Sequence, residues 1–246
     1  MPLVIAHRGA SGYAPENTMP AFELAVQQGA DMIELDVQRS ADGALVVFHD
    51  QTTERWDGRQ RPVTALRLDE LRALDIGGAR MATLAEVCAF ARERGVRLNV
   101  ELKGLGIGAD VARLLREERV EDQVMISSFS PAALAEIAAA APHLPRAYIM
   151  GTRTYHPAVR IREGWPFRAL RRVGAIAWHP AYQLPLLTWI VPRVRRAGYQ
   201  VNVWTVNDVA VMRRLIALGV DGIFTDVPDV LRRVLQEQQA TVLRNA

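Results

Sequence analysis

The sequence predicts a closed parallel (β/α)8 barrel, and three observations predict it. Eight short apolar runs alternate with eight helical patterns along the whole chain. The 246 residues, half of them hydrophobic and 23% charged, match the length over which such a barrel forms one domain. No glycine-rich phosphate fingerprint follows the first run, as an open doubly wound sheet would usually carry. Residues 1–246 therefore read as a single barrel domain, with 51–82 as a small cap inserted after the second strand.

The barrel strands are expected at Leu3–Ala6, Met32–Val37, Leu98–Leu102, Val124–Ser127, Arg146–Met150, Ala175–Trp178, Val201–Thr205 and Gly222–Thr225. Helices are expected near Ala21–Gln28, Leu84–Glu93, Ala109–Glu117, Pro131–Ala140, Ala158–Arg172, Leu186–Arg196, Val209–Leu218 and Pro228–Gln238. Thr83, Ser130 and Asn207 are placed to cap helix starts, and Gly29, Gly95, Gly198 and Gly219 stand where helices should stop. One run breaks the alternation. Ala44–His49 also reads as a strand, yet the link from Val37 is too short for a parallel crossover, which needs roughly a dozen or more residues. Ser40-Ala41-Asp42-Gly43 instead carries the Asp-Gly signal of a hairpin. With the turn centred near Ala41–Asp42, the returning strand is antiparallel and sets His49 opposite Glu34, at the carboxyl end of the barrel.

Composition narrows the class. The 30 basic and 27 acidic residues leave a net charge of +3, which gives no argument for a nucleic-acid partner. Lys103 is the only lysine; every other basic residue is an arginine, so a compact ammonium is expected to matter at that position. Cys88 is the one cysteine, which excludes an intrachain disulfide and fits a reducing compartment. The opening Met1–His7 lacks the pattern of an export signal. The longest apolar stretch, Val173–Pro192, is broken by His179, Gln183 and prolines, and reads as a strand plus a helix rather than a membrane span. A cytoplasmic location is the expectation.

In this architecture, active sites gather at the carboxyl ends of the strands. His7-Arg8 end the first strand, Glu34 and Asp36 the second, Glu101 and Lys103 the third. Residues two apart share a strand face, so both carboxylates of the second strand point one way, as do Glu101 and Lys103. Their apolar neighbours Ile33, Leu35, Val37, Val100 and Leu102 should face the helices, which turns the charged set into the barrel mouth. Three converging carboxylates need compensating charge or their pKa values rise. A divalent cation supplies it, and carboxylates without thiolates favour Mg²⁺ or Ca²⁺ over zinc. A buried salt-bridge network is the alternative for any strand taken singly. His7 and His49 approach the same cluster, as a pair of acid–base groups around a reacting centre would. There is no His-Glu-x-x-His helix for a zinc hydrolase and no Gly-x-Ser-x-Gly elbow for a serine nucleophile. Arg8, Lys103 and a cation together suit a phosphate.

His7-Arg8-Gly9, Pro15-Glu16-Asn17-Thr18, Ile33-Glu34-Leu35-Asp36-Val37, Asp42-Gly43, Phe48-His49-Asp50 and Glu101-Leu102-Lys103 resemble the glycerophosphodiester phosphodiesterase family in order, spacing and residue type. Ser127-Ser128-Phe129, Val203-Trp204-Thr205-Val206-Asn207 and Gly222-Ile223-Phe224-Thr225-Asp226 extend the resemblance over nearly the whole chain. Ser40 stands where the family often has threonine. The resemblance implies a barrel enzyme that hydrolyses glycerophosphodiesters to sn-glycerol 3-phosphate and an alcohol. It implies Glu34, Asp36 and Glu101 as metal ligands, His7 and His49 as the acid–base pair, and Arg8 and Lys103 as phosphate holders. The nucleophile stays open between water and the neighbouring glycerol hydroxyl, as do the separate parts of the two histidines.

Other residues are weighed beside these. Phe129 and Trp204 are placed to wall the glycerol or alcohol pocket, or simply to fill core. Glu16 and Asn17 lie over the site, where with Thr18 they would also cap the first helix. Asp226 is expected to orient its loop or cap the last helix, and His179 ends the sixth barrel strand. Arg153 to Arg172 interleaves arginines with Tyr155, Trp165 and Phe167, either a solvated helix face or a patch for anionic lipid. The competing functions are a phosphodiesterase acting on lipids such as lysophospholipids, and a non-catalytic barrel that binds a phosphorylated ligand.

Overall fold

Short β-branched and aliphatic runs form the staves of the fold, and amphipathic helices sheath them. The computed structural model describes residues 1–151, 159 and 164–244. The strands are β1 (Leu3–His7), β2 (Met32–Arg39), β3 (Leu45–Val47), β4 (Arg97–Leu102), β5 (Val124–Ser128), β6 (Arg146–Met150), β7 (Ala177–Pro180), β8 (Gln200–Val203) and β9 (Gly222–Thr225). All but β3 pair in parallel in the order β1-β9-β8-β7-β6-β5-β4-β2, and β2 pairs back to β1, so the cylinder is closed. Ile5 aligns with Met32 and His7 with Glu34 across the closure. Asp36 aligns with Glu101 across β2 and β4. These registers put the chemistry-bearing side chains of three neighbouring staves at one level.

The long helices are α1 (Met19–Gln27), α4 (Leu84–Arg94), α5 (Gly108–Glu117), α6 (Pro131–Ala140), α7 (Phe167–Val173), α8 (Leu187–Arg196), α9 (Val209–Leu218) and α10 (Pro228–Arg244). Two short ones, α2 (Glu54–Asp57) and α3 (Leu68–Arg72), lie in the 51–82 segment. The main core is the layer between staves and helices. Ile33, Leu35, Val37, Val100 and Leu102 are buried there, as the alternation with the carboxylates requires. Each such side chain contributes about 1.5–3 kcal/mol on burial. The cylinder interior is smaller and holds Ile5, Met32 and Phe224 in one group and Met125, Ala147 and Ala177 in another. The 51–82 segment has its own apolar cluster, in which Val63, Leu66, Leu71, Leu74, Ile76 and Met81 pack on Val46 and Phe48. Among the described residues no helix is long and apolar enough to cross a membrane.

Several boundaries differ from the sequence expectation. The hairpin exists, but β3 is only three residues long and pairs Val37 with Val47 and Arg39 with Leu45. That register is one residue off the expected one and centres the turn on Asp42, whose carboxylate accepts from Ser40 Oγ and the Leu68 amide. His49 thus lies beyond the ladder rather than opposite Glu34. The strand expected at Ala175–Trp178 sits two residues later, which carries His179 into the barrel wall. Asp208, not Asn207, caps α9 by accepting from the Val211 amide, because Asn207 is committed to Thr225 and Asp226. The helix expected over Ala158–Arg172 is seen as α7 from Phe167 onward. Tyr155, Arg160 and Arg162 of the arginine-rich stretch lie outside the described residues.

Candidate active site

Two tight turns set the first part of the site. After β1 the chain must fold at once onto α1, and Gly9 makes this possible. Its φ is +85°, and a Cβ there would stand 2.7 Å from the Ala21 carbonyl carbon. Arg8 and Asn17 also hold left-handed backbone, at φ 56° and 59°. For residues other than glycine this conformation is costly and is usually held in place by surrounding contacts. Those contacts are present. The Arg8 amide donates to Glu34 Oε2 at 2.9 Å, and the Asn17 amide donates to the Arg8 carbonyl at 3.0 Å. Asn17 Nδ2 donates to Asp36 Oδ2 at 2.8 Å. Thr18 alone caps α1; Glu16 and Asn17 serve the site instead.

Glu34, Asp36 and Glu101 are all buried, and each offers an oxygen within 4.8 Å of the others. One hard cation with oxygen ligands at about 2.0–2.6 Å bridges such a spread. Two cationic side chains share the cluster. Lys103 Nζ lies 2.9 Å from Glu101 Oε1 and 3.4 Å from Asp36 Oδ1. Arg8 Nε lies 3.2 Å from Asp36 Oδ2, and its Nη1 donates to Glu16 Oε1 at 3.0 Å.

Compensation is uneven. Burial opposes ionisation of Asp36, but Lys103, Arg8 and His49 outweigh it and hold that carboxyl below its usual range. Burial, then the charges of Asp36 and Glu101, push Glu34 well above its usual range. Burial and Asp36 likewise raise Glu101 to about 7, against the pull of Lys103. Two of three clustered acids thus resist ionisation without further positive charge. Buried oxygens of hard character with a missing counter-charge fit a divalent cation.

The two histidines are each backed by an acid. His7 Nδ1 lies 2.7 Å from Asp226 Oδ1, and Asp226 also accepts from Ser11 Oγ at 2.9 Å and from Asn207 Nδ2. Asp226 is partly buried, and its hydrogen bonds more than offset that burial and hold its pKa at about 2. His49 Nδ1 lies 2.8 Å from Asp50 Oδ1, whose other oxygen pairs with Arg55 Nε at 2.7 Å. Arg55, from α2, also reaches Glu16, so the 51–82 segment is tied to both β-strand ends. In each pair the Nδ1–H···carboxylate contact leaves Nε2 as the nitrogen free for a reacting group. Burial, then the nearby Arg8 and Lys103, lower the His49 pKa despite Asp36 and Asp50.

His7, Arg8, Glu34, His49, Glu101, Lys103, Phe129 and Trp204 line one cavity of about 630 Å³. Asp36 stands behind them at 1% exposure. The expected set therefore converges. Phe129 and Trp204 meet edge to face, with centroids 5.5 Å apart, and the Trp204 indole N–H donates to the His179 carbonyl at 2.8 Å. His179 is buried in the cavity floor, where burial drops its pKa to about 3, so the ring is neutral.

Sequence reasoning placed Asn17 over the site and Asp226 at the end of the last strand without tying Asn17 to Asp36 or Asp226 to His7, and it passed over Asp50 and Arg55. Asp50 adjoins His49 in sequence, and closure of the barrel makes β9 the neighbour of β1, so both acids had a signal. Arg55 had none, because the path of the 51–82 segment cannot be read from its composition.

Comparison with known proteins gives the family. The model of the glycerophosphoryl diester phosphodiesterase family matches residues 7–230. A glycerophosphodiester phosphodiesterase from Caldanaerobacter subterraneus is 35% identical over 96% of this chain and 98% of its own. Another, from Bacillus altitudinis, is 33% identical over 97% of this chain and 100% of its own. An Oleispira antarctica phosphodiesterase, solved with the product sn-glycerol-3-phosphate, superposes with a TM-score of 0.82 at 29% identity, covering 96% of this chain and 97% of that one.

Proposed function

Because the chain belongs to the glycerophosphoryl diester phosphodiesterase family, we propose that it hydrolyses glycerophosphodiesters to sn-glycerol 3-phosphate and an alcohol. One observation carries this reading: two carboxylate-backed histidines and a buried carboxylate trio line or adjoin the same cavity. Glu34, Asp36 and Glu101 would hold a divalent cation, Mg²⁺ or Ca²⁺. When bound, that ion would supply positive charge to the phosphodiester as negative charge builds on its oxygens. Arg8 and Lys103 add fixed positive charge to the same cavity and orient the phosphate.

The acid and base parts follow from the surroundings of each ring. His49 sits among cations and is buried, so it stays neutral and accepts a proton at Nε2 from the nucleophile. His7, held through Nδ1 by the anionic Asp226, presents Nε2 to the cavity and donates a proton to the departing alcohol oxygen as the P–O bond breaks. The nucleophile is water or the neighbouring glycerol hydroxyl, and a transient cyclic glycerol phosphate in the early product mixture identifies the second.

The test is an assay of glycerophosphocholine and glycerophosphoethanolamine with Mg²⁺, Ca²⁺ or chelator. Release of sn-glycerol 3-phosphate that depends on added cation supports the reading. Inactivity on both under every condition favours a barrel that only binds phosphoesters.

A further inference from the structure

Eight large hydrophobic side chains stand exposed among the described residues, and their placement is uneven. Tyr13, Leu105, Phe129, Trp165, Leu186 and Trp189 all lie in connections leaving the carboxyl ends of barrel strands, or in the first turn of the helix that follows. That is the face on which the candidate site opens. Only Met1 and Ile176 belong to the opposite face.

The apolar rim is densest beside β6 and β7. Trp165 packs edge-on against Phe167 at 4.8 Å and sits 6.1 Å from Trp189. The Arg193 guanidinium lies 3.6 Å over the Trp189 ring. Leu186, at the head of α8, is 68% exposed and holds left-handed backbone at φ 60°. A leucine gains nothing in water from such a position, and clustered exposed apolar groups on a soluble domain usually mark a contact surface.

Charge points to what the surface meets. Between Glu136 and Asp208 the sequence carries ten arginines and a single acidic residue, Glu163. Of the described arginines in that stretch, Arg168, in the first turn of α7, and Arg193, stacked on Trp189, lie beside the rim, whereas Arg146, Arg171, Arg172, Arg195 and Arg196 stand at the other end of the barrel. Tryptophan and leucine on a rim with arginines is the composition that settles at the boundary of headgroups and acyl chains. Arginine adds attraction to anionic lipid there, and its stacking on Trp189 keeps the two side chains at one depth.

We propose that the Trp165–Leu186–Trp189 rim docks the protein on an anionic phospholipid bilayer with its catalytic mouth facing the membrane. This rests on the reading of that mouth as a phosphodiesterase site.

The probe is co-sedimentation with vesicles of phosphatidylcholine, with or without phosphatidylglycerol, at low and moderate salt. The full chain should sediment with the anionic vesicles at low salt, less with neutral ones, and be released as salt rises. Leu186→Ser/Trp189→Ser should weaken partitioning about tenfold or more, since each removes a group that inserts among the lipids. Its turnover of soluble glycerophosphocholine should equal that of the wild type, because neither side chain lines the cavity. Leu186→Ser alone, changing only an exposed side chain, should show a smaller loss in the same direction, and Arg168→Ala/Arg193→Ala should weaken binding to anionic vesicles while leaving the weaker binding to neutral ones. No sedimentation with anionic vesicles at low salt, or wild-type partitioning of the Leu186→Ser/Trp189→Ser variant, overturns the proposal. Either failure leaves soluble turnover intact, whereas failure of the phosphodiesterase reading abolishes turnover and leaves vesicle binding in place.

Discussion

At the scale of single residues, the site rests on paired dependencies rather than on isolated groups. His7 depends on Asp226 and His49 on Asp50, each through one short contact to Nδ1. Replacing either histidine by alanine should lower kcat/KM by about 10²–10⁴, the range for removing a general acid or base; steady-state kinetics on glycerophosphocholine reads this directly. Asp226→Asn keeps the shape but removes the carboxylate that fixes His7 through Nδ1. A loss of about 10–100-fold in kcat/KM is expected, the range for groups that orient a functional partner. Wild-type kcat/KM in this variant would detach Asp226 from the chemistry. The clustering of Glu34, Asp36 and Glu101 was legible because strand alternation assigns each a face without reference to the rest of the fold, whereas Arg8, His49, Phe129 and Trp204 lie past strand ends, where alternation assigns none. Asp226 and Arg55 were harder, since one acts across the barrel closure and the other from an irregular segment.

At the scale of elements, the turns after the strands do the positioning. Gly9 lets β1 run straight into a turn packed on α1, so Gly9→Ala should cost about 1–3 kcal/mol in chemical denaturation and also misplace Arg8. Thr83 joins the 51–82 segment to the barrel. It caps α4 in a reciprocal pair with Glu86 and bridges to Val46. Thr83→Ala should lower stability by about 1 kcal/mol with turnover nearly unchanged, because no group of the cavity contacts it. The alternation of strand and helix was plain in the sequence for the same reason the faces were: its period is local. The hairpin register was missed by one residue because Asp42 centres the turn on itself through Ser40 and Leu68, a preference that turn composition does not convey. The late start of β7 has a similar origin. Ala175 and Ile176 are apolar enough to read as strand, yet they form the entry loop, and pairing begins at Ala177.

At the scale of the whole molecule, stability and cation binding are coupled through the acid cluster. We propose that residues 1–246 form one domain, with the 51–82 segment anchored by Arg55 and Thr83; a single unfolding transition by fluorescence and circular dichroism is the expected result. Within it, Glu101 has its pKa raised from the ordinary 4.5 to about 7, first by burial and then by Asp36. A group raised in the folded state contributes stability below its unfolded pKa and loses it as pH rises through the folded value. Metal-free protein should therefore lose this contribution between about pH 4.5 and 7. Glu101→Gln, which carries no titrating proton, should lack that fall. Cation affinity runs the other way, since protons must leave before the ion enters, and should climb over the same interval.

The most direct measurement is calorimetric titration of chelator-stripped protein with Mg²⁺ and Ca²⁺, run beside turnover of glycerophosphocholine in the same samples. One ion per chain should bind, its affinity should collapse in Glu34→Gln, Asp36→Asn or Glu101→Gln, and turnover should return in step with occupancy. Full turnover in the stripped protein, or undiminished ion binding in all three variants, would contradict a carboxylate-held cation at the barrel mouth.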